Sequence, residues 1–495
     1  MRLKALQGGA RPRSEGPEFA TDRPRYEASN RVEAIPCGGI GVLHELACSV
    51  GLVDAFDRNL SILKRHRPYT ESDHVLNIAY NLLCNGRVLD DIELLRNDIG
   101  YLRCLGARAI PDPTTAGDFC RRFTEPDIQA LMDTVNHIRG EVWKRAGLST
   151  EETARIDVDG TILPTTGVCK EGTDMSYKGE FGYHPLLVSF YNTQEPLFIV
   201  NRPGNRPSYD GAAAYLDRAI AVVRQAGFTD ILLRGDTDFT QTAHLDRWNE
   251  AGVRFVFGYD ANARFVERAE NMAIWEYTDL VRKANEEFDR KEVRAKQPRV
   301  KAAVIKERGY LNQRLESEDT AEFEHKPVKA KNTYRVVVLR KMITEERGQL
   351  TLGTYFRYFF YVTNDRSLTQ AQVVAESNQR CQQENIIKQL KDGVRAIHAP
   401  LNTLNANWAY MVIASLAWSL KAWFGLQLPT QPPKSSKTKS KPRTRQQILN
   451  MSFRAFVNRL ILIPAQILHQ GRARVFRLLG WRRDADTLLL VHDSL

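Results

Sequence analysis

Apolar positions recur at helical spacing through the first third of the chain, then give way to strand-like runs near residue 155. Gly41-Val42-Leu43-His44-Glu45-Leu46 and His74 to Leu83 place apolar side chains three and four residues apart, so residues 31–150 are expected to be helical. From Arg155 the runs shorten. Ile156 to Leu163, Pro185 to Tyr191, Leu197 to Val200, Asp230 to Leu233 and Val253 to Gly258 read as strands, the second and third joined as a hairpin. Ala212 to Ala226, closed by Gly227, and Thr240 to Ala251 read as helices. The order β-β-β-α-β-α-β predicts an α/β class, a mixed sheet flanked by helices.

The expected organisation is a disordered arm over 1–30, a helical N-terminal domain over 31–150 and the first part of an α/β core over 151–265. A charged β-containing insertion occupies 266–352, with a strand-like run at Tyr334 to Leu339 and another, Tyr355 to Val362, just beyond it. The second part of the core, 353–428, holds a helix from Thr369 to Lys391 and an apolar helix at Trp408 to Phe424. The apolar helix is short for a membrane span and carries Lys421, so it reads as buried. A basic Pro/Ser-rich linker covers 429–446, and 447–495 reads as a helical C-terminal segment.

Composition narrows the partners. At 495 residues the chain is long for one hydrophobic core. Lys plus Arg number 70 against 59 Asp plus Glu, a net +11 that fits a polyanionic partner. The basic residues are dispersed, which favours nucleic acid over a membrane surface. Seven cysteines, an odd number without a C-x-x-C pair, argue against a disulfide framework or structural zinc. The polar N-terminus lacks a signal-peptide apolar core, so a cytoplasmic protein is expected.

Candidate chemistry sits on carboxylates. Asp157 and Asp159 share one face of the first strand, because strand side chains alternate. Asp159 lies nearer the strand end, before Gly160; Asp157 is its alternate. Asp236 follows the apolar run Ile231-Leu232-Leu233, a position that suits either an active-site acid or a helix cap, with Asp238 as its competitor. Farther on, Arg380, Glu384 and Lys391 are spaced R-x3-E-x6-K, which on one α-helix puts a carboxylate beside two cations. Phosphodiester cleavage asks for hard oxygen ligands on rigid elements, holding metal ions that activate one oxygen and stabilise another.

These segments, with Gly182-Tyr183-His184-Pro185-Leu186, Arg202-Pro203-Gly204-Asn205 and Arg234-Gly235-Asp236-Thr237-Asp238-Phe239, resemble bacterial insertion-sequence transposases of the DDE type, most closely the 1380-type group. The resemblance covers roughly residues 30–425. Its helix signature is Y-x2-R-x3-E-x6-K, and Ser377 stands where the Tyr would be. The resemblance implies a ribonuclease H-like catalytic core with a β-containing insertion between the second Asp and the Glu. It implies Asp159, Asp236 and Glu384 as catalytic, metal-holding residues for two Mg²⁺ (or Mn²⁺) ions, with Arg380 and Lys391 on transposon-end phosphates.

Further DNA-contacting candidates are Lys388, His184, Arg202, Asn205 and the pair Arg121 and Arg122 on a Pro-initiated helix of the N-terminal domain, read as DNA-binding. Trp275 is a candidate base-flip aromatic. The implied activity is cut-and-paste transposition by a homodimer on double-stranded DNA, the terminal inverted repeats and the target, in a bacterial cytoplasm at the nucleoid, with no membrane partner. The alternatives are a catalytically inactive transposase-derived DNA-binding protein and a ribonuclease H-like nuclease without strand transfer.

Overall fold

The computed structural model describes residues 26, 32–64, 68–167, 169–280, 311–347, 350–431, 442–470, 473–479 and 484–495. All of the expected arm over 1–30 except residue 26, and most of the basic linker, fall outside these residues, as does the charged run between Lys283 and Lys306.

Nine strands form one mixed sheet. They are β1 (Ala154–Gly160), β2 (Leu186–Phe190), β3 (Glu195–Val200), β4 (Ile231–Gly235), β5 (Arg254–Tyr259), β6 (Thr278–Asp279), β7 (Leu311–His325), β8 (Tyr334–Arg347) and β9 (Leu350–Thr363). Their spatial order is β6-β7-β8-β9-β5-β4-β1-β2-β3. β1 pairs parallel with β4 and antiparallel with β2, and β4 pairs parallel with β5. The five sequence-expected strands are all present. β2, β3 and β4 are buried along their whole length because helices and loops cover both faces, so they read as largely apolar runs, whereas β1 alternates apolar residues with Arg155, Asp157 and Asp159.

The expected insertion extends the main sheet. β9 pairs antiparallel with β5 from Phe360 to Thr363, so the long strands β7 to β9 continue the same hydrogen-bonded surface. Their far ends carry exposed Leu315, Leu352 and Phe356.

Helices α1 (Glu71–Leu83) and α2 (Glu125–Arg145) lie in the N-terminal half, and α3 (Ala212–Gln225) packs on the sheet. The joined pair α4 (Gln370–Gln379) and α5 (Cys381–Lys388) follows the insertion, and α6 (Leu404–Leu426) comes after it. Pro126 and a Thr124/Asp127 capping box start α2, with Lys144 and Arg145 in its last turn against the helix dipole. From Ala406 to Leu426 every residue of α6 is buried. That helix is long and apolar enough to cross a membrane, yet it packs against α1, α2 and β3. Each large apolar side chain so buried contributes on the order of 1.5–3 kcal/mol. One apolar cluster runs from Ile35 to Val491, so the N-terminal helices share their core with the sheet.

Two expectations need correction. The helix expected over Thr369 to Lys391 is interrupted at Arg380, and its last turn, Gln389–Gly393, widens to a π-helix. Ser377 and Asn378, whose side chains compete for backbone groups, sit just before the joint. The C-terminal segment is not wholly helical. Strands Ala465–Gln470 and Ala473–Leu478 form a hairpin, to which Glu33–Ile35 adds a third strand. Its alternating apolar positions were hidden by the arginines between them.

Candidate active site

β1 and β4 are parallel neighbours, so their C-terminal ends open on the same edge of the sheet. Asp159 and Asp236 leave those ends and line one cleft of about 270 Å³ together with Thr161, His184, Asp238 and Lys391. At about 30 Å³ per water, that space holds several waters or a phosphate group. A small sheet, Leu163–Pro164 with Phe181–Tyr183 and Asp174–Met175, folds beside it and brings Lys178 and Glu180 to the rim.

Asp159 accepts from its neighbour's backbone, Gly160 N at 2.8 Å, and stands 3.5 Å from the Arg380 guanidinium. Burial pushes its carboxyl up to about 7; Arg380 opposes that rise, and Asp236 and Glu384 add to it. Asp236 is also raised, first by burial, against Arg380. Asp236 caps the short helix Thr237–Phe239, its Oδ1 accepting from Asp238 N at 3.0 Å. Cap and cleft-lining acid are therefore the same residue. Glu384 lies in the first turn of α5, exposed toward solvent, and acts on Asp159 through its charge.

Anchors on either side of the α4/α5 joint place Arg380 and Glu384. Buried Gln383 donates to Leu187 O at 3.3 Å and pairs with Ser189, pinning α5 to β2. Lys391, in the π turn, donates to Ile162 O at 2.6 Å and so faces the loop after β1. One extra residue per turn displaces Lys391 from the straight stripe that R-x3-E-x6-K implies; such turns are frequent at functional sites.

Asp157 is not in the cleft. It is fully buried and held by Arg234, whose Nε and Nη2 donate to its two oxygens at 2.7 and 2.9 Å. Arg234 also donates from Nη1 to Glu376 Oε2 at 2.9 Å, and Arg155 grips the same carboxylate at 2.7 and 2.9 Å. Burial opposes the charge on Glu376, yet the two arginines hold its carboxyl below the usual range. This network was missed from the sequence. Its signal was an arginine inside each of two apolar strands, which demands a buried acid.

The other candidates scatter. His184 is buried and lines the cleft, its Nδ1 donating to Arg206 O at 2.8 Å, with burial lowering its pKa. Gly160 makes room for it, since a Cβ there would lie 2.9 Å from His184 Nε2. Arg202 is buried and donates to the carbonyls of His184, Ser208 and Asp210, so it builds the Arg-Pro-Gly-Asn turn and offers no open guanidinium to a phosphate. Asn205 donates to Asp174 at 2.6 Å. Lys388 is exposed on α5. Asp112 caps the helix Pro113–Arg121, which buries Phe119 and Cys120; Arg121 pairs with Asp118 at 2.7 Å, and Arg122 is exposed. Trp275 lies outside the cleft at 83% exposure, so it is not a core tryptophan.

The donor set suits a hard divalent cation. Mg²⁺ is usually held by one or two carboxylates together with phosphate oxygens and water. Asp159 and Asp236 supply that pair, and both carboxyls are raised, first by burial, against the opposing charge of Arg380. Among the described residues, no three His, Cys, Asp or Glu side chains are drawn close enough to hold an ion unaided.

Residues 35–494 match the family model described as "Transposase DDE domain group 1". No curated protein matches the chain. Among solved structures, a cryo-EM structure of the piggyBac transposase synaptic complex with hairpin DNA is similar, with a TM-score of 0.38 and 10% identity. The match covers 85% of this chain and 81% of that one.

Proposed function

The chain belongs to the family of the group 1 transposase DDE domain, and on that premise we propose that it cuts the ends of a DNA element and joins them to target DNA at the Asp159–Asp236 cleft. The observation that supports this reading is that two acids from distant parts of the chain share one cleft, with the charge of a third felt at one of them. Asp159 and Asp236 line one cleft, and Glu384 is near enough to raise the Asp159 carboxyl.

Asp159, Asp236 and Glu384 would hold two Mg²⁺ or Mn²⁺ ions. Bound there, the metal supplies an activated oxygen nucleophile and stabilises the leaving oxygen of the cleaved phosphodiester. Arg380 and Lys391 add positive charge along the path of the phosphate backbone. Lys388 extends it on the exposed side of α5. His184, neutral and fixed through Nδ1, presents Nε2 beside Gly160 and can accept a hydrogen bond in the cleft.

The strand order β3-β2-β1-β4-β5, with β1, β4 and β5 parallel, supports a ribonuclease H-like core extended by the insertion. The sequence resemblance favours the bacterial 1380-type insertion-sequence group, with Arg121 and Arg122 meeting DNA in the N-terminal region and a homodimer pairing the two ends. A cytoplasmic, nucleoid-associated protein follows from the same reading.

The test is Mg²⁺-dependent cleavage of an oligonucleotide bearing the element's terminal repeat. Asp236→Ala is expected to abolish cleavage while leaving binding of the repeat intact. Normal cleavage by that variant ends the assignment. Cleavage without joining of precut ends identifies a nuclease instead.

A further inference from the structure

We infer that Glu376 is the positioning residue that holds the cation-bearing helix against the two aspartate strands, and that metal affinity depends on it. The inference rests on the reading of Asp159, Asp236 and Glu384 as the metal-holding group. Its ground is a four-residue ion network with a regular relation to that group. Asp157 lies two residues before Asp159 on β1, and Arg234 lies two residues before Asp236 on β4. Residues two apart on a strand point to the same face, so the Asp157–Arg234 pair runs under Asp159, and Asp236, just past the end of β4, lines the same cleft. Asp157 and Arg234 are direct register partners, which ties the strands to one another at that level.

Glu376 joins the third element. It accepts from Arg234 at 2.9 Å and from Arg155, also on β1, at 2.7 and 2.9 Å. The Glu376 side chain is 10% exposed, and Asp157 and Arg234 are closed from solvent. Glu376 sits four residues before the joint at Arg380, and Gln383 sits three after it. One anchor fastens α4 to β1 and β4; the other fastens α5 to β2. Arg380 is suspended between the two, and Glu384 directly follows the second. Because the helix is interrupted at Arg380, the hold on β4 reaches α5 through Glu376 and the joint, while Gln383 and Lys391 hold the following segment to β2 and to the loop after β1. Side chains that orient metal ligands from behind typically change metal affinity by roughly 10–100-fold when removed.

The experiment titrates the full-length protein with Mn²⁺, reading free ion by electron paramagnetic resonance, at a temperature where every variant is folded. Wild type, Asp159→Asn, Glu376→Gln and Arg155→Gln are compared, with thermal midpoint and DNA-end binding measured alongside. Glu376→Gln is expected to weaken Mn²⁺ about 10-fold or more while DNA-end binding holds. Arg155→Gln, which leaves the Asp157–Arg234 pair closed, is expected to weaken it less and in the same direction. It decides the matter if Glu376→Gln does not fold. Wild-type Mn²⁺ affinity in whichever of these variants folds overturns the inference, even if the thermal midpoint falls. Wild-type protein that binds Mn²⁺ no better than Asp159→Asn overturns the reading of the site itself.

Discussion

Arg234 lies directly beside Asp157 in the parallel register of β4 and β1, and its guanidinium closes both carboxylate oxygens at 2.7 and 2.9 Å. Both side chains are shut away from water. Removing one member leaves a buried charge without its partner, at a cost of about 3–5 kcal/mol. Arg234→Met should therefore lower unfolding free energy by that amount in chemical denaturation, far more than Arg96→Met at an exposed helix pair. A loss below about 1 kcal/mol, the range of surface pairs, contradicts the buried network.

Glu384→Gln keeps the volume of the side chain and removes its charge. Strand cleavage should fall roughly 10²–10³-fold, the scale of losing one preorganised electrostatic contact. Binding of the terminal repeat should change little, because the side chain is one of many surface groups. Equal losses in binding and cleavage in single-turnover measurements would point to a DNA-contact role instead.

Acidity provides a separate handle on Asp159. Its carboxyl is pushed up to about 7 from an ordinary 3.8, so between those values the metal-free native state holds a proton that the unfolded chain has released. Stability therefore falls as pH rises through that window, by at most about 4 kcal/mol at 1.36 kcal/mol per unit. Asp159→Asn should flatten the slope. Wild type and variant should unfold alike at pH 4, and the variant should be the more stable at pH 8. Denaturation curves that stay parallel across this range reject the raised carboxyl.

Lys421 is the opposite case. Burial in α6 pushes its ammonium down to about 7, against a smaller upward pull from Glu195. Its Nζ donates to Leu449 O at 2.8 Å and lies 3.9 Å from the Trp418 ring centroid. Above pH 7 the unfolded chain binds the proton that the native state has shed, so stability should climb as pH rises toward 10. In Lys421→Met that climb should disappear, as read by thermal unfolding at pH 7 and 9.

Gly160→Ala tests the cleft wall. The added methyl would meet His184 Nε2 at 2.9 Å. His184 is tethered through Nδ1 and cannot simply swing away. The expected result is a stability loss of about 1–3 kcal/mol, typical of overpacking, with a larger loss in cleavage. Pairing it with His184→Ala should restore stability but not cleavage.

Much of the sheet was legible because β1, β2, β4 and β5 are short apolar runs bounded by turns, a signal that depends on neighbouring residues alone. The cleft acids were legible at the ends of two such runs, with Asp157 kept as the alternate to Asp159. What separates them is Arg234, a residue 77 positions away whose pairing depends on strand register. The Glu376 network was illegible for the same reason, since Arg155 and Glu376 lie 221 residues apart. The joint at Arg380 has no proline or glycine to announce it. Arg202 looked like a DNA contact because a surface-like turn motif surrounds it, while its carbonyl partners are set by backbone geometry that no local pattern reveals.

The long interval between Asp236 and Glu384 also bears on timing during synthesis. A nascent chain that has emerged through β5 carries both aspartates but neither Arg380 nor Glu384, and its β5 edge still awaits β9. Arg155 and Arg234 then lie without Glu376, so the strand ends have no fixed companion helix. Ribosome-bound or prematurely terminated copies should accordingly lack the assembled cleft, which is completed only when the last third of the polypeptide, with Arg380 and Lys391, docks.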